Sequence, residues 1–284
     1  MDPLIINLAP TGMVPMPADN AHVPVTSDAI ASDALACRAR GAAIVHLHAR
    51  DDSGRPTWQP DAYRAIITAV REQAPDLIVC VSTSGRTFGE FAQRAAVLDL
   101  GGDVKPEMAS LTLGSMNFPT QASVNEPAMI EGLARRMQER GIVPELEVFD
   151  LGMLDYARYL LDRHILRPPC YVNILLGSRG TLAATPMNLA TMVQALPAGA
   201  VWAATGIGRF QFAVNAMSVT MGGHVRVGLE DSLYMDAGKR RLASNTALVE
   251  RIADLARAAE RDVASPDDAR SLIGLPLRTT VRAS

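Results

Sequence analysis

Ala42-Ala43-Ile44-Val45-His46-Leu47-His48-Ala49-Arg50-Asp51 begins as an unbroken apolar run, acquires two histidines one residue apart, and ends in charge. Residues 42–47 show no alternation of apolar with polar, so a strand there needs both faces covered. Seven further short runs share that texture, at 4–8, 77–81, 108–113, 146–149, 171–176, 200–204 and 225–229. Amphipathic stretches lie between them. Tyr63, Ile66, Ile67 and Val70 fall on one helical face, as do Leu154, Ala157, Leu160 and Leu161, and Thr26 or Ser27 can cap a first helix. Strands buried on both faces, each followed by a helix, predict a parallel sheet wrapped by helices. Eight such units in about 250 residues is the size of a (β/α)8 TIM barrel. The expected architecture is therefore α/β: one barrel domain over residues 1–284 with a short C-terminal extension. An open doubly wound sheet would want Gly-x-Gly-x-x-Gly after the first strand, and Pro10-Thr11-Gly12-Met13-Val14 does not supply it. Ser265-Pro266-Asp267-Asp268 reads as a cap, a first-turn proline and first-turn acids, which predicts a last short helix over the barrel's base or against a neighbour.

The 284 residues carry 27 basic and 30 acidic side chains, a net charge of -3, with 48% of residues hydrophobic. That balance argues against nucleic acid or an anionic membrane as partner. No stretch of about 18 apolar residues is present, nor a basic flank leading into an apolar leader, so a cytoplasmic protein is expected. Cys37, Cys80 and Cys170 are odd in number, far apart and set in apolar surroundings. They read as packed, reduced thiols.

Side chains on a strand repeat every second residue, so His46 and His48 share a face, about 7 Å apart at the backbone. They close the second strand at its carboxyl end, where barrel enzymes keep their active sites. Two imidazoles there can converge on one ion; a buried, hydrogen-bonded pair is the plain alternative. The eighth strand and its exit, Gly222-Gly223-His224-Val225-Arg226-Val227-Gly228-Leu229-Glu230-Asp231-Ser232, add Arg226 and Gly228 on one face and then two adjacent acids. The second and eighth strands both border the first, so Glu230 or Asp231 can meet the histidines above the barrel. Two imidazoles and a carboxylate with open positions describe a catalytic metal site that suits zinc, with iron(II) and manganese also compatible by ligand type. His224, deeper in its strand, reads as structural, and His22 and His164 have no partner motif. Ser82-Thr83-Ser84-Gly85-Arg86 and Ser110-Leu111-Thr112 with Gly114-Ser115-Met116-Asn117-Phe118 offer donors for carboxylate oxygens, or ordinary turn chemistry. Glu145 and Glu147 share a face on the fifth strand. An inward Glu147 needs Arg226 or the metal beside it, whereas Glu145 reads as a solvated strand entrance. Arg179 and Arg209, in glycine-bearing loops after strands six and seven, are candidates for the phosphates of a large cosubstrate, or plain surface arginines.

Pro10-Thr11-Gly12, residues 41–51, Ala109-Ser110-Leu111-Thr112-Leu113-Gly114-Ser115, Pro144-Glu145-Leu146-Glu147-Val148-Phe149-Asp150, residues 222–231, Ser265-Pro266 and Leu272-Ile273-Gly274-Leu275 together resemble the beta-keto acid cleavage enzymes, typified by the 3-keto-5-aminohexanoate cleavage enzyme. The resemblance runs nearly end to end. It implies a zinc-dependent barrel, one ion per subunit, that converts a 3-oxo acid and acetyl-CoA into acetoacetate and a new acyl-CoA. It further implies His46, His48 and Glu230 as zinc ligands, and Ser82, Gly85 and Thr112 as substrate contacts. Asp231 and Arg226 become acid-base partners supported by Glu147, and the assembly a homo-oligomer, a tetramer. One departure stands out. Where the aminohexanoate-cleaving members place a glutamate for the substrate ammonium, this chain has Met13-Val14, so an uncharged or differently charged acyl chain is expected. On the residues alone, a metal-dependent barrel hydrolase and a non-catalytic carboxylate-binding barrel remain the alternatives.

Overall fold

The computed structural model describes residues 1–118 and 120–277. Its parallel strands are β1 (Ile6–Leu8), β2 (Ala42–Leu47), β3 (Ile78–Val81), β4 (Met108–Thr112), β5 (Val143–Val148), β6 (Tyr171–Leu176), β7 (Val201–Gly206) and β8 (His224–Val227). Each pairs with its neighbours in sequence, and β8 closes onto β1 to complete the barrel. Around it lie α1 (Ser27–Arg38), α2 (Pro60–Gln73), α3 (Phe91–Ala95), α4 (Pro127–Arg140), α5 (Leu151–Asp162), α6 (Pro186–Gln194), α7 (Gln211–Thr220) and α8 (Asn245–Ala258). Thr26 caps α1 by accepting the Ala29 N–H at 3.1 Å. In α2, Tyr63, Ile66, Ile67 and Val70 are all buried against the sheet, as their spacing requires. Among the described residues no helix is long and apolar enough to cross a membrane.

The barrel interior is layered. Ile5, Ile44, Ile78, Met108 and Tyr171 form an apolar floor. Two residues further along each strand the inward positions turn polar: Asn7, His46, Ser110, Glu145 and Asn173 are all buried. Another step gives His48, Ser82, Thr112, Glu147 and Arg226. The register carries this from β4 to β5, with Ser110 beside Glu145 and Thr112 beside Glu147. The polar middle explains why β5 starts at Val143 instead of the expected 146: Glu145 and Glu147 break the apolar run but point inward. A last helix, α9 (Pro266–Ile273), is nucleated by a reciprocal capping box between Ser265 and Asp268. It closes the base of the barrel, since Ala264, Ala269, Ile273 and Leu275 join the apolar floor.

Candidate metal centre and active site

His46 and His48 project from the end of β2 to the same side, and their Nε2 atoms lie 3.2 Å apart. Glu230, two residues past Gly228, brings Oε1 to 3.3 Å from His48 Nε2. One donor atom from each of the three falls within 4.8 Å of the others. Donors each about 2.0–2.1 Å from a tetrahedral zinc stand roughly 3.4 Å apart, so these separations fit a single ion. The second oxygen of Glu230 is buried and has no hydrogen-bond partner among the described residues. Four buried or half-buried acids, Glu145, Glu147, Glu230 and Asp231, surround one arginine, Arg226, and a cation would offset that excess. The residues present therefore fit a divalent metal.

The placement of Glu230 depends on backbone approach. Gly12 sits at φ +65°, and a Cβ there would lie 2.5 Å from Glu230 Cγ. Gly228 matters for the closure of the barrel: a Cβ on it would lie 2.0 Å from the Ala9 carbonyl oxygen, so its bareness lets β8 and β1 close together. Glu230 then donates its backbone N–H to that same carbonyl at 3.2 Å.

Arg226 is the hub above the histidines. Its Nη1 donates to Glu147 at 3.0 Å and its Nη2 contacts Glu230 at 2.7 Å, while Nε and Nη2 grip Asp231 at 2.9 and 3.2 Å. Burial pushes the Asp231 carboxyl up, Arg226 pulls it down, and Glu230 adds to the rise, leaving it at about 6. Burial also works to raise Glu230, but Arg226 and the two histidines hold it well below the usual carboxylate range. Glu147 is inward and paired with Arg226, as its position required, and accepts the Thr112 hydroxyl at 2.7 Å.

Glu145 is a correction. It is fully buried, not a solvated entrance. Its Oε2 accepts His46 Nδ1–H at 2.6 Å, and its Oε1 accepts from Asn7 at 2.6 Å and Asn173 at 3.3 Å. Cys80 donates its thiol to the same carboxylate at 3.4 Å. Burial alone would raise Glu145, but His46 and Arg226 win and hold it at about 2. Its bond places the imidazole proton on Nδ1 and leaves Nε2 of His46 free to ligate. The signal was in the sequence: a period of two that turns Glu147 inward turns Glu145 inward as well. His224 is structural as expected, its Nδ1 accepting the Ile5 N–H at 3.0 Å.

Above these groups opens a cavity of about 500 Å³ lined by His48, Ser82, Thr112, Glu147, Arg226, Glu230 and Asp231. Gly85 is not in its lining; it packs where a Cβ would strike Arg94 and the Val124 carbonyl oxygen. Arg94, which sequence reasoning missed, shapes that loop by donating to Thr83 O at 2.8 Å and Asn125 Oδ1 at 2.7 Å. Arg50 similarly clamps the loop of Met13 and Val14, donating to Gly12 O at 2.7 Å and Pro15 O at 3.0 Å. Arg179 and Arg209 are exposed at the cavity's mouth.

Fold and site together define a parallel-barrel enzyme whose chemistry gathers at the carboxyl ends of its strands. The chain belongs to the beta-keto acid cleavage enzyme family, whose pattern matches residues 3–275. It is 38% identical over 276 residues to the 3-keto-5-aminohexanoate cleavage enzyme of Fusobacterium nucleatum, covering 97% of this chain and 99% of that one. To the 3-oxoadipate:acetyl-CoA acetyltransferase of Cupriavidus necator it is 37% identical over 278 residues, covering 96% and 95%. Among solved structures, apo ObcA superposes with a TM-score of 0.78 at 22% identity, over 89% of this chain and 66% of that one, a likeness that concerns the barrel alone.

Proposed function

We propose that the enzyme condenses a 3-oxo carboxylic acid with acetyl-CoA and cleaves the adduct to acetoacetate and a new acyl-CoA. The observation that carries this reading is a buried acid-base carboxylate, Asp231, fixed by Arg226 beside an open ligand set of His46, His48 and Glu230. Zinc, when bound, would supply Lewis acidity for polarising oxygens of the acid. His46, held by Glu145, and His48 and Glu230 would bind it. Asp231 takes a proton from the carbon between the two oxygen-bearing groups. Arg226 holds Asp231 by two hydrogen bonds, so the carboxylate is oriented before the substrate arrives. The carbanion adds to the acetyl-CoA thioester carbonyl, forming a carbon-carbon bond and releasing CoA thiolate. Thiolate then adds to the original 3-oxo carbon. The bond from that carbon to the former carbanion carbon breaks, and this carbon takes back the proton, giving acetoacetate and the new thioester. Ser82 and Thr112 line the cavity for the acid's oxygens, while Glu147 braces Arg226 through Nη1. Arg179 and Arg209, exposed at its mouth, are suited to the phosphates of the cosubstrate. The family resemblance extends the reading to a cytoplasmic homotetramer with one zinc per subunit.

Incubation with acetyl-CoA and a panel of 3-oxo acids should yield acetoacetate and matching acyl-CoA thioesters by mass spectrometry; no new thioester from any acid would end the reading. Asp231→Asn should retain the metal and the fold while kcat falls about 100- to 10,000-fold. Full turnover in that variant would take the base role from Asp231.

A further inference from the structure

The loop after β3 carries a cation that the reaction above leaves unused. Ser82, Ser84 and Arg86 all line the cavity. The guanidinium of Arg86 rests 3.4 Å from the ring centroid of Phe118, which in turn meets Phe149 edge-on at 6.2 Å. An arginine stacked this way keeps its planar fork in one orientation. Its Nε is buried with no hydrogen-bond partner, and its guanidinium forms no ion pair among the described residues. The contrast with the fully buried arginines is direct. Arg50, Arg94 and Arg261 hold backbone carbonyls, Arg71 and Arg270 hold Glu107, and Arg226 holds three carboxylates.

Arg86 is half-buried, and its Nε, shut away from water without an acceptor, gains from a ligand that brings one. Position decides which ligand. Burial lowers the Arg86 pKa while Glu230 and Glu147 raise it, so its charge sits within the field of the metal ligand and of the carboxylate beside Arg226. Arg179 and Arg209, by contrast, are exposed at the rim. The β1–α1 loop presents Met13 and Val14 to the same cavity, neither of which can pair with a substrate cation. Lys239, also in the lining, is exposed like Arg179 and Arg209, so the half-buried positive charge that faces the cavity without an ion pair among the described residues is Arg86, and its shape is that of a fork for two oxygens.

We propose that Arg86 receives a second carboxylate, at the far end of the acyl chain, and that the preferred substrates are 3-oxo dicarboxylic acids. This rests on the 3-oxo acid reading of the site. The test compares Arg86→Met and Arg86→Lys with the wild-type enzyme on short 3-oxo dicarboxylic acids and on the 3-oxo monocarboxylic acids of equal chain length, with acetyl-CoA saturating. The wild type should favour the dicarboxylates. In Arg86→Met the ratio of kcat/KM for dicarboxylate over monocarboxylate should fall roughly 10- to 100-fold, chiefly through KM, with Arg86→Lys in between. Metal content by elemental analysis checks that the variants are built. A wild type that turns over monocarboxylates without preferring dicarboxylates, an equal loss on both acids, or a loss confined to the KM of acetyl-CoA would each overturn the proposal while leaving the cleavage reaction intact. Calorimetric titration with the saturated dicarboxylates alone gives an answer independent of turnover: binding that Arg86→Met weakens supports the site, and binding that it leaves unchanged removes Arg86 from it.

Discussion

At the residue scale, the centre works through protons held in fixed places. Glu145 is an acceptor only, so the 2.6 Å contact with His46 requires the proton on Nδ1 and leaves Nε2 free to ligate. Asn7 and Asn173 saturate the other oxygen of Glu145, which prevents the carboxylate from turning away. Glu145→Gln keeps the volume but removes the charge that selects this tautomer. Metal affinity should drop about 10- to 100-fold, read by chelator competition against the wild type, with the fold retained by circular dichroism. Unchanged affinity would mean that His46 does not ligate through Nε2. The same reasoning shows what a single sequence discloses. His46 and His48 could be placed on one face from local spacing alone, and Glu230 or Asp231 near them from their position just past a strand end; the choice of Glu230 rests on the family resemblance. Glu145 could not be read as a support for His46, because its partners Asn7, His46, Cys80 and Asn173 come from four other strands.

At the element scale, the site is an agreement between loops and strand ends rather than a property of any one segment. The barrel was legible because seven of the apolar runs mark buried strands continuously; β5 was misjudged at its start because a strand lining a polar interior has no such run. The loops were less legible. What fixes them is long-range: Arg50 ties the β1–α1 loop to the β2 end, and Arg94 ties the β3 loop to Asn125. Gly12 shows the consequence of this tight assembly. Ala at that position meets Glu230 at 2.5 Å and must also adopt φ +65°, so either the loop or the carboxylate gives way. Gly12→Ala should lose metal affinity and most activity while costing about 1–3 kcal/mol in urea unfolding. Retention of full metal content would show that Glu230 can be held from elsewhere.

At the scale of the whole molecule, stability and chemistry occupy opposite ends of the barrel. The carboxyl end gathers buried acids around Arg226, an arrangement that costs desolvation and that the proposed reaction draws on. The amino end is sealed by α9, whose Ile273 is 1% exposed and packs with the apolar floor made by Ile5, Ile44 and Met108. Arg270 of the same helix is fully buried and donates to the Asp76 carbonyl at 2.6 Å, so the plug is pinned as well as packed. The polar layer of Asn7, Glu145 and Asn173 lies between floor and mouth, and its hydrogen bonds span several strands without drawing on α9. Trimming the plug should therefore weaken the fold without moving the reacting groups. Ile273→Ala leaves a cavity in the floor and should cost about 2–5 kcal/mol, lowering Tm by roughly 3–8 °C. Metal content and kcat/KM, measured well below the transition, should stay within about twofold of the wild type. A large loss of turnover in a sample that is still fully folded and metal-loaded would mean that the floor sets the position of the histidines, and that the two ends of this barrel are mechanically one.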